Sequence, residues 1–163
     1  MLKIEYNEIF YESEKKREYE HICAYRLLEK MLFECFQISP PVIKRTDMGK
    51  PYVENEGVFF SISHTDGLVC CAVSDTPVGI DCEKITTKFD KKIESFANRY
   101  FLENEINLLK NEEFSPLRFY KIWTAKEAIY KMQGGVFPIT KIDTLKNEVT
   151  YIFEKDYIIC VKN

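Results

Sequence analysis

The sequence predicts an α+β fold with mainly antiparallel strands packed against helices. Short β-like runs are joined by tight turn signals at Asp66-Gly67, Asp75-Thr76-Pro77 and Lys155-Asp156. Longer segments among them carry apolar residues at helical spacing. With 163 residues, 45% of them hydrophobic and 14% aromatic, the chain is one domain or two small lobes sharing a sizeable core.

Residues 2–10 alternate well enough for a first strand. Residues 13–36 place Ile22, Tyr25, Leu28, Leu32 and Cys35 or Phe36 at helical spacing, and charged residues fill much of the other face. Ser39-Pro40-Pro41 is expected to end this helix. A loop should follow, carrying Asp47-Met48-Gly49-Lys50-Pro51 and Glu54-Asn55-Glu56-Gly57. Strands are expected over 58–63, 68–74 and 77–83. Residues 89–110 read as helix, broken or kinked near Asn98 and Asn104, with Phe96, Tyr100, Phe101, Ile106 and Leu109 apolar. A helix over 116–133 buries Ile122, Ala125, Ile129 and Met132 and stops at Gly134-Gly135. Closing strands cover 148–154 and 157–162. The chain has no internal repeats or low-complexity segments.

The net charge of −3 gives no global basic character to draw the chain onto nucleic acid or membrane. Lys15-Lys16-Arg17 and Lys44-Arg45 are local basic clusters. Cysteines at 23, 35, 70, 71, 82 and 160 have no CxxC metal-ligand spacing, and each lies in an apolar run. The first residues resemble neither a signal nor a transit peptide, and no apolar run approaches the roughly 20 residues of a membrane span. The expectation is a cytoplasmic protein with free thiols.

Several segments carry chemistry. Asp81 and Glu83 alternate with apolar residues in Gly79-Ile80-Asp81-Cys82-Glu83, so on a strand they share a face. Glu127 and Lys131 share a helix face one turn apart. Three carboxylates and an ammonium suit a hard divalent cation holding a phosphate-bearing substrate. Each piece also has a plain reading. Asp81 and Glu83 fit a solvated strand face, and Glu127 with Lys131 fits a surface ion pair contributing a few tenths of a kcal/mol. Trp123, the single tryptophan, fits either a site floor or the core. His64, in Phe60-Ser61-Ile62-Ser63-His64, is not part of a hydrolase signature, since no G-x-S-x-G elbow is present. A histidine beside hydroxyls and backbone amides can hold phosphate. Gly49-Lys50-Pro51 reads as an ordinary turn or as backbone open to a flat ligand.

In order, Gly49-Lys50-Pro51, Phe60–His64, Val78–Glu83, Phe96–Phe101 with Glu105, and Trp123–Lys131 resemble the 4′-phosphopantetheinyl transferases, more narrowly the surfactin-synthetase-activating type. They span about half the chain, and the G-I-D-x-E and W-x-x-K-E-x-x-x-K segments are the most specific. The resemblance implies two similar lobes related by pseudo-twofold symmetry, here 1–76 and 77–163, with coenzyme A between them. It implies Mg²⁺, or Mn²⁺ in its place, on Asp81, Glu83 and Glu127. Gly49, Lys50 and Pro51 would border the adenine. Ser63 and His64 would meet the nucleotide phosphates, Lys131 the pyrophosphate, and Lys15, Lys16 and Arg26 the 3′-phosphate. The implied partner is an apo acyl or peptidyl carrier protein, with Glu127 as general base toward its serine and Lys131 as the other catalytic residue. Two lobes in one chain imply a monomeric site. Family members of the two-lobe type are longer, so carrier docking is the less determined part. Two other readings compete: a coenzyme A-binding module without turnover, and another metal-dependent phosphate-cleaving enzyme such as a nuclease. The latter should carry a stronger cationic surface.

Overall fold

The computed structural model describes residues 1–10, 16–55, 57–86 and 92–163. In chain order it holds β1 (Leu2–Glu8), α1 (Lys16–Phe36), β2 (Ile43–Arg45), β3 (Pro51–Val53), β4 (Phe59–Thr65), β5 (Leu68–Ser74), β6 (Gly79–Lys84), α2 (Ile93–Tyr100), α3 (Glu103–Asn111), α4 (Pro116–Met132), β7 (Thr150–Glu154) and β8 (Tyr157–Lys162). This is the expected α+β class, and every strand pair is antiparallel.

One sheet has the order β1-β5-β4, another β6-β8-β7. β5 is buried along its whole length, and its alternation explains why. Val69, Cys71 and Val73 pack under α1, while Leu68, Cys70 and Ala72 pack against Ile80, Cys82 and Ile159 of the second sheet. A strand apolar on both faces thus links the two sheets through one core. The sheets also touch through Ser61, whose hydroxyl oxygen accepts the Ile80 amide at 3.1 Å.

The helix over 13–36 is realised as α1, with residues 13–15 outside the described residues. Its buried stripe is Ala24, Leu27, Leu28, Met31 and Leu32, which keeps Leu28 and Leu32 of the predicted row but leaves Tyr25 half-buried and Ile22 40% exposed. Leu27 and Met31 stand beside Leu28 and Leu32, so the stripe centred on these pairs buries more apolar area than one reaching to Ile22. Gln37, at φ 57°, ends the helix before the prolines do. The loop expected after it contains the β2–β3 hairpin, with Arg45 opposite Pro51. Three-residue strands are too short for alternation to show.

The predicted helix 89–110 is two helices, with 89–91 outside the described residues. The chain is extended at Phe101 and Leu102, between the two asparagines expected to mark the break. Glu105 determines this break. Its carboxylate accepts the Leu102 amide at 2.8 Å and the Thr144 amide and hydroxyl at 2.9 and 2.7 Å. It also pairs with the fully buried Lys126 ammonium at 2.8 Å, locking α3 to α4. α4 starts where the Ser115 hydroxyl accepts the Arg118 amide and Pro116 takes the first turn. It ends at Gly134 and Gly135, both left-handed, with the Gly135 amide bonded to the Tyr130 carbonyl.

All six cysteines are unpaired thiols. No helix among the described residues is long and apolar enough to cross a membrane.

Candidate active site

α4 lies directly on β6 because Gly79 has no side chain. A Cβ there would stand 1.9 Å from the Ala128 carbonyl oxygen and 2.6 Å from the Met132 nitrogen. This approach brings the Glu127 and Lys131 turn of α4 against the Asp81 and Glu83 face of β6.

Asp81 is 5% exposed. Its Oδ1 accepts the Lys131 ammonium at 2.7 Å and the Ser63 hydroxyl at 2.8 Å. Lys131 also donates to Ser63 Oγ at 3.1 Å. Strand β4, strand β6 and helix α4 therefore converge on one carboxylate oxygen. The plain reading of Lys131 as a surface partner for Glu127 does not hold: its ammonium sits on Asp81 instead. Burial alone would lower the Lys131 pKa, but Asp81 and Glu127 outweigh it, so the group is firmly cationic.

The other two carboxyls are destabilised as anions. Burial, then the Asp81 charge, pushes Glu83 up to about 7, and a hydrogen bond from the Trp123 indole opposes part of that shift. Glu127 is raised for the same two reasons, burial first and Asp81 second. Trp123 thus both holds Glu83 and packs edge-on to Phe96 and Tyr100. Asp81 Oδ2 is buried without a hydrogen-bond partner among the described residues. An orphaned carboxylate oxygen, flanked by two carboxyls that resist ionisation, is the donor chemistry a hard divalent cation satisfies. As placed, no three acidic, histidine or cysteine side chains among the described residues form a ready metal-holding group, and the cation against Asp81 is Lys131.

Two hollows meet above this floor. One, of about 420 Å³, is lined by Tyr25, Arg45, Ser63, His64, Asp81 and Lys131. The other, of about 250 Å³, is lined by Gly49, Lys50, Phe60, Ser61, Tyr130 and Gly134 among others. Pro51, Ile62 and Lys131 border both, so they form one continuous cleft.

Residues 77–155, which carry Asp81, Glu83, Glu127 and Lys131, match the sequence model of the 4′-phosphopantetheinyl transferase superfamily. Over that stretch the chain is similar to that superfamily. It is 34% identical over 146 residues to the 4′-phosphopantetheinyl transferase gsp of Aneurinibacillus migulanus, covering 86% of this chain and 60% of that relative. It is 36% identical over 100 residues to HetI of Nostoc, covering 59% and 41%. It is 34% identical over 91 residues to Sfp of Bacillus subtilis, covering 54% and 39%. These matches therefore span 60% or less of the relatives' own length.

The superfamily resemblance named more residues than the cleft gathers. Gly49, Lys50 and Pro51 line it as expected. Gly49 is needed there for its φ of +81°, which closes the β2–β3 turn, since nothing stands near its Cβ position. Burial lowers the Lys50 pKa. Ser63 and His64 also line the cleft, but the Ser63 proton is donated to Asp81 rather than left for a ligand. Lys15 lies outside the described residues. Lys16 pairs with Asp66 at 2.6 Å and approaches Glu20 at 3.9 Å, beside His64. Arg26 lines a different hollow with Asn7, Glu8 and Lys30, so α1 carries it away from the Asp81 cleft. A helix turns 100° per residue, and the basic cluster around 15–17 does not fix which later side chain shares its face. Arg45 was legible only as half of a basic pair, yet it enters the cleft and donates to the Gly49 carbonyl at 2.8 Å. Glu20 gave no signal in sequence: it is an acid on a helix rich in charge.

Proposed function

We propose that the chain transfers 4′-phosphopantetheine from coenzyme A to a serine of an apo acyl or peptidyl carrier protein, releasing adenosine 3′,5′-bisphosphate. One observation carries this reading. Asp81 and Lys131 pair at the edge of a cleft where β6 meets α4, and Glu83 and Glu127 lie close enough to feel the Asp81 charge, in a chain similar to the transferase superfamily. The two hollows would take the two ends of coenzyme A's nucleotide portion, with Gly49, Lys50 and Pro51 at the adenine and His64 and Lys131 at the phosphates. Residues 1–76 and 77–163 would be the two lobes flanking it, in a monomer acting in the cytoplasm.

Asp81, Glu83 and Glu127 would hold Mg²⁺, or Mn²⁺ in its place, and when bound the ion supplies Lewis-acid stabilisation of pyrophosphate charge. The carrier serine oxygen attacks the β-phosphorus of coenzyme A, and the bond from that phosphorus to the bridging oxygen breaks. The serine proton passes to Glu127, directly or through a water. Lys131, already at the junction of both hollows, stabilises negative charge building on the leaving phosphate. The burial that raises Glu127 also moves it toward the basicity a general base needs near neutral pH.

Mass spectrometry of a panel of apo carrier proteins, incubated with the chain, coenzyme A and Mg²⁺, tests the reading. A phosphopantetheine mass gain on at least one carrier, with adenosine 3′,5′-bisphosphate released, is expected. Coenzyme A binding without any mass gain would make the chain a binding module. Cleavage of coenzyme A without transfer would make it a different phosphate enzyme.

A further inference from the structure

The mechanism above leaves one buried acid of α1 unused. Glu20 is 3% exposed, and its Oε2 lies 3.3 Å from His64 Nδ1. Its other oxygen, Oε1, is buried without a hydrogen-bond partner among the described residues. Lys16, one turn earlier, approaches Glu20 at 3.9 Å and bonds Asp66 at 2.6 Å. His64 itself lines the hollow that holds Asp81, Arg45 and Lys131. A carboxylate sunk this deeply in a helix–sheet contact, with one oxygen on an imidazole facing a cleft, is poor design for stability alone. It matches the pairing by which a carboxylate fixes the tautomer and orientation of a working histidine.

We propose that Glu20 is a positioning residue for His64, acting on the phosphate end of the substrate. This rests on the reading that His64 meets the coenzyme A phosphates. At 3.3 Å, Glu20 Oε2 is placed to accept from Nδ1–H, which would fix the ring plane and leave Nε2 for the hollow. A phosphate oxygen is an acceptor only, so Nε2 must carry a proton to bind it. With Nδ1–H already engaged by Glu20, the ring that grips phosphate is the doubly protonated imidazolium, and Glu20 is its counter-charge. Phosphate binding by neutral His64 then takes up one proton onto Nε2. The charged and titratable groups lining the hollow or lying beside Glu20 are Lys16, Glu20, His21 and Tyr25 from α1, Arg45 from β2, Asp81 from β6 and Lys131 from α4. Of these, Glu20 is the one in ion-pair contact with the ring. His64 would serve the phosphates only while α1 stays docked on β4, which ties ligand binding to that packing.

The chain has two histidines, His21 and His64, so ring ¹⁵N spectra of the full chain are assignable with His21→Gln. In the free wild-type protein, neutral His64 should show the Nδ1–H tautomer, and addition of coenzyme A with Mg²⁺ should protonate Nε2. Glu20→Gln keeps the shape and removes the charge. It should shift His64 toward the mixed tautomers of free imidazole. It should also weaken coenzyme A binding at least about tenfold, raising KM far more than it lowers kcat. Glu20→Asp should recover part of the affinity. Wild-type protein that fails to bind coenzyme A would overturn the functional reading itself. Wild-type binding with an Nε2–H tautomer in the free protein, or a Glu20→Gln variant with unchanged affinity, would overturn the role of Glu20 alone. A fall in melting temperature with unchanged spectra and affinity would make Glu20 a purely structural anchor and also overturn it.

Discussion

The Gly79 Cα faces the backbone of Ala128, and the space a methyl group would occupy is already filled by the Ala128 carbonyl oxygen at 1.9 Å. The glycine is required by helix–strand contact and not by its φ, which is not positive. Helix α4 cannot retreat freely, since Lys126, two residues before Ala128, is locked to Glu105. Gly79→Ala should therefore displace α4 from β6. The expected result is a stability loss of about 1–3 kcal/mol by overpacking and, in the same variant, a loss of transfer of at least about tenfold. Denaturant melts beside a transfer assay check both. A variant with native stability and turnover would show that the contact does not set the site.

Lys131→Ala leaves Asp81 buried beside Glu83 and Glu127 without its cation. The side chain is 27% exposed and Asp81 almost wholly buried, so the loss should exceed that of a surface pair and reach about 1–3 kcal/mol. Coenzyme A affinity should fall with it. Added Mg²⁺ should return stability, because it supplies the missing charge, but not the lost phosphate contact. Melting curves with and without Mg²⁺, alongside titration calorimetry, separate the two effects. Unchanged coenzyme A affinity would confine Lys131 to a structural role.

Glu127→Gln preserves the shape of the side chain and removes the proposed base. Transfer should drop at least about a hundredfold, with the fold intact. Because burial and Asp81 raise the Glu127 pKa, Gln at this position should not destabilise the cation-free protein at neutral pH. Near-wild-type turnover would remove Glu127 as the base.

The Glu83 carboxyl lies at about 7 in the folded chain against an ordinary 4.5, for burial first and the Asp81 charge second. Between those values the folded chain keeps a proton the unfolded chain has lost. The stabilisation is complete below about pH 4.5 and disappears as pH rises through about 7. The cation-free protein should thus melt progressively lower across that window, and Glu83→Gln should flatten the slope. Mg²⁺ at neutral pH should raise the melting temperature and strengthen coenzyme A binding, and Asp81→Ala should abolish both responses. A melting temperature indifferent to Mg²⁺ and to pH across this range would count against a cation on these carboxylates.

The sequence by itself determined the elements with long periodic patterns and the residues at the site floor. Leu28 and Leu32 of α1, Ile122, Ala125 and Ile129 of α4 and the continuous run of β5 are buried as their local patterns predict, whereas Ile22 and Met132 at the row ends are not. Asp81, Glu83, Glu127 and Lys131 were legible because their spacing fixes which share a face within one element. What crosses between elements was decided only by the tertiary structure. Spacing on α4 suggests Glu127 as the partner of Lys131, yet the ammonium takes Asp81, because Gly79 lets the helix approach close enough for a strand carboxylate to compete. Ser63 is drawn to the same oxygen, and Arg26 is carried to another hollow by the rotation of α1. Arg45 enters the cleft from β2 and Glu20 reaches His64 from α1, and no local pattern encodes either approach. Charge pairing depends on distance through space, and distance through space is set by packing.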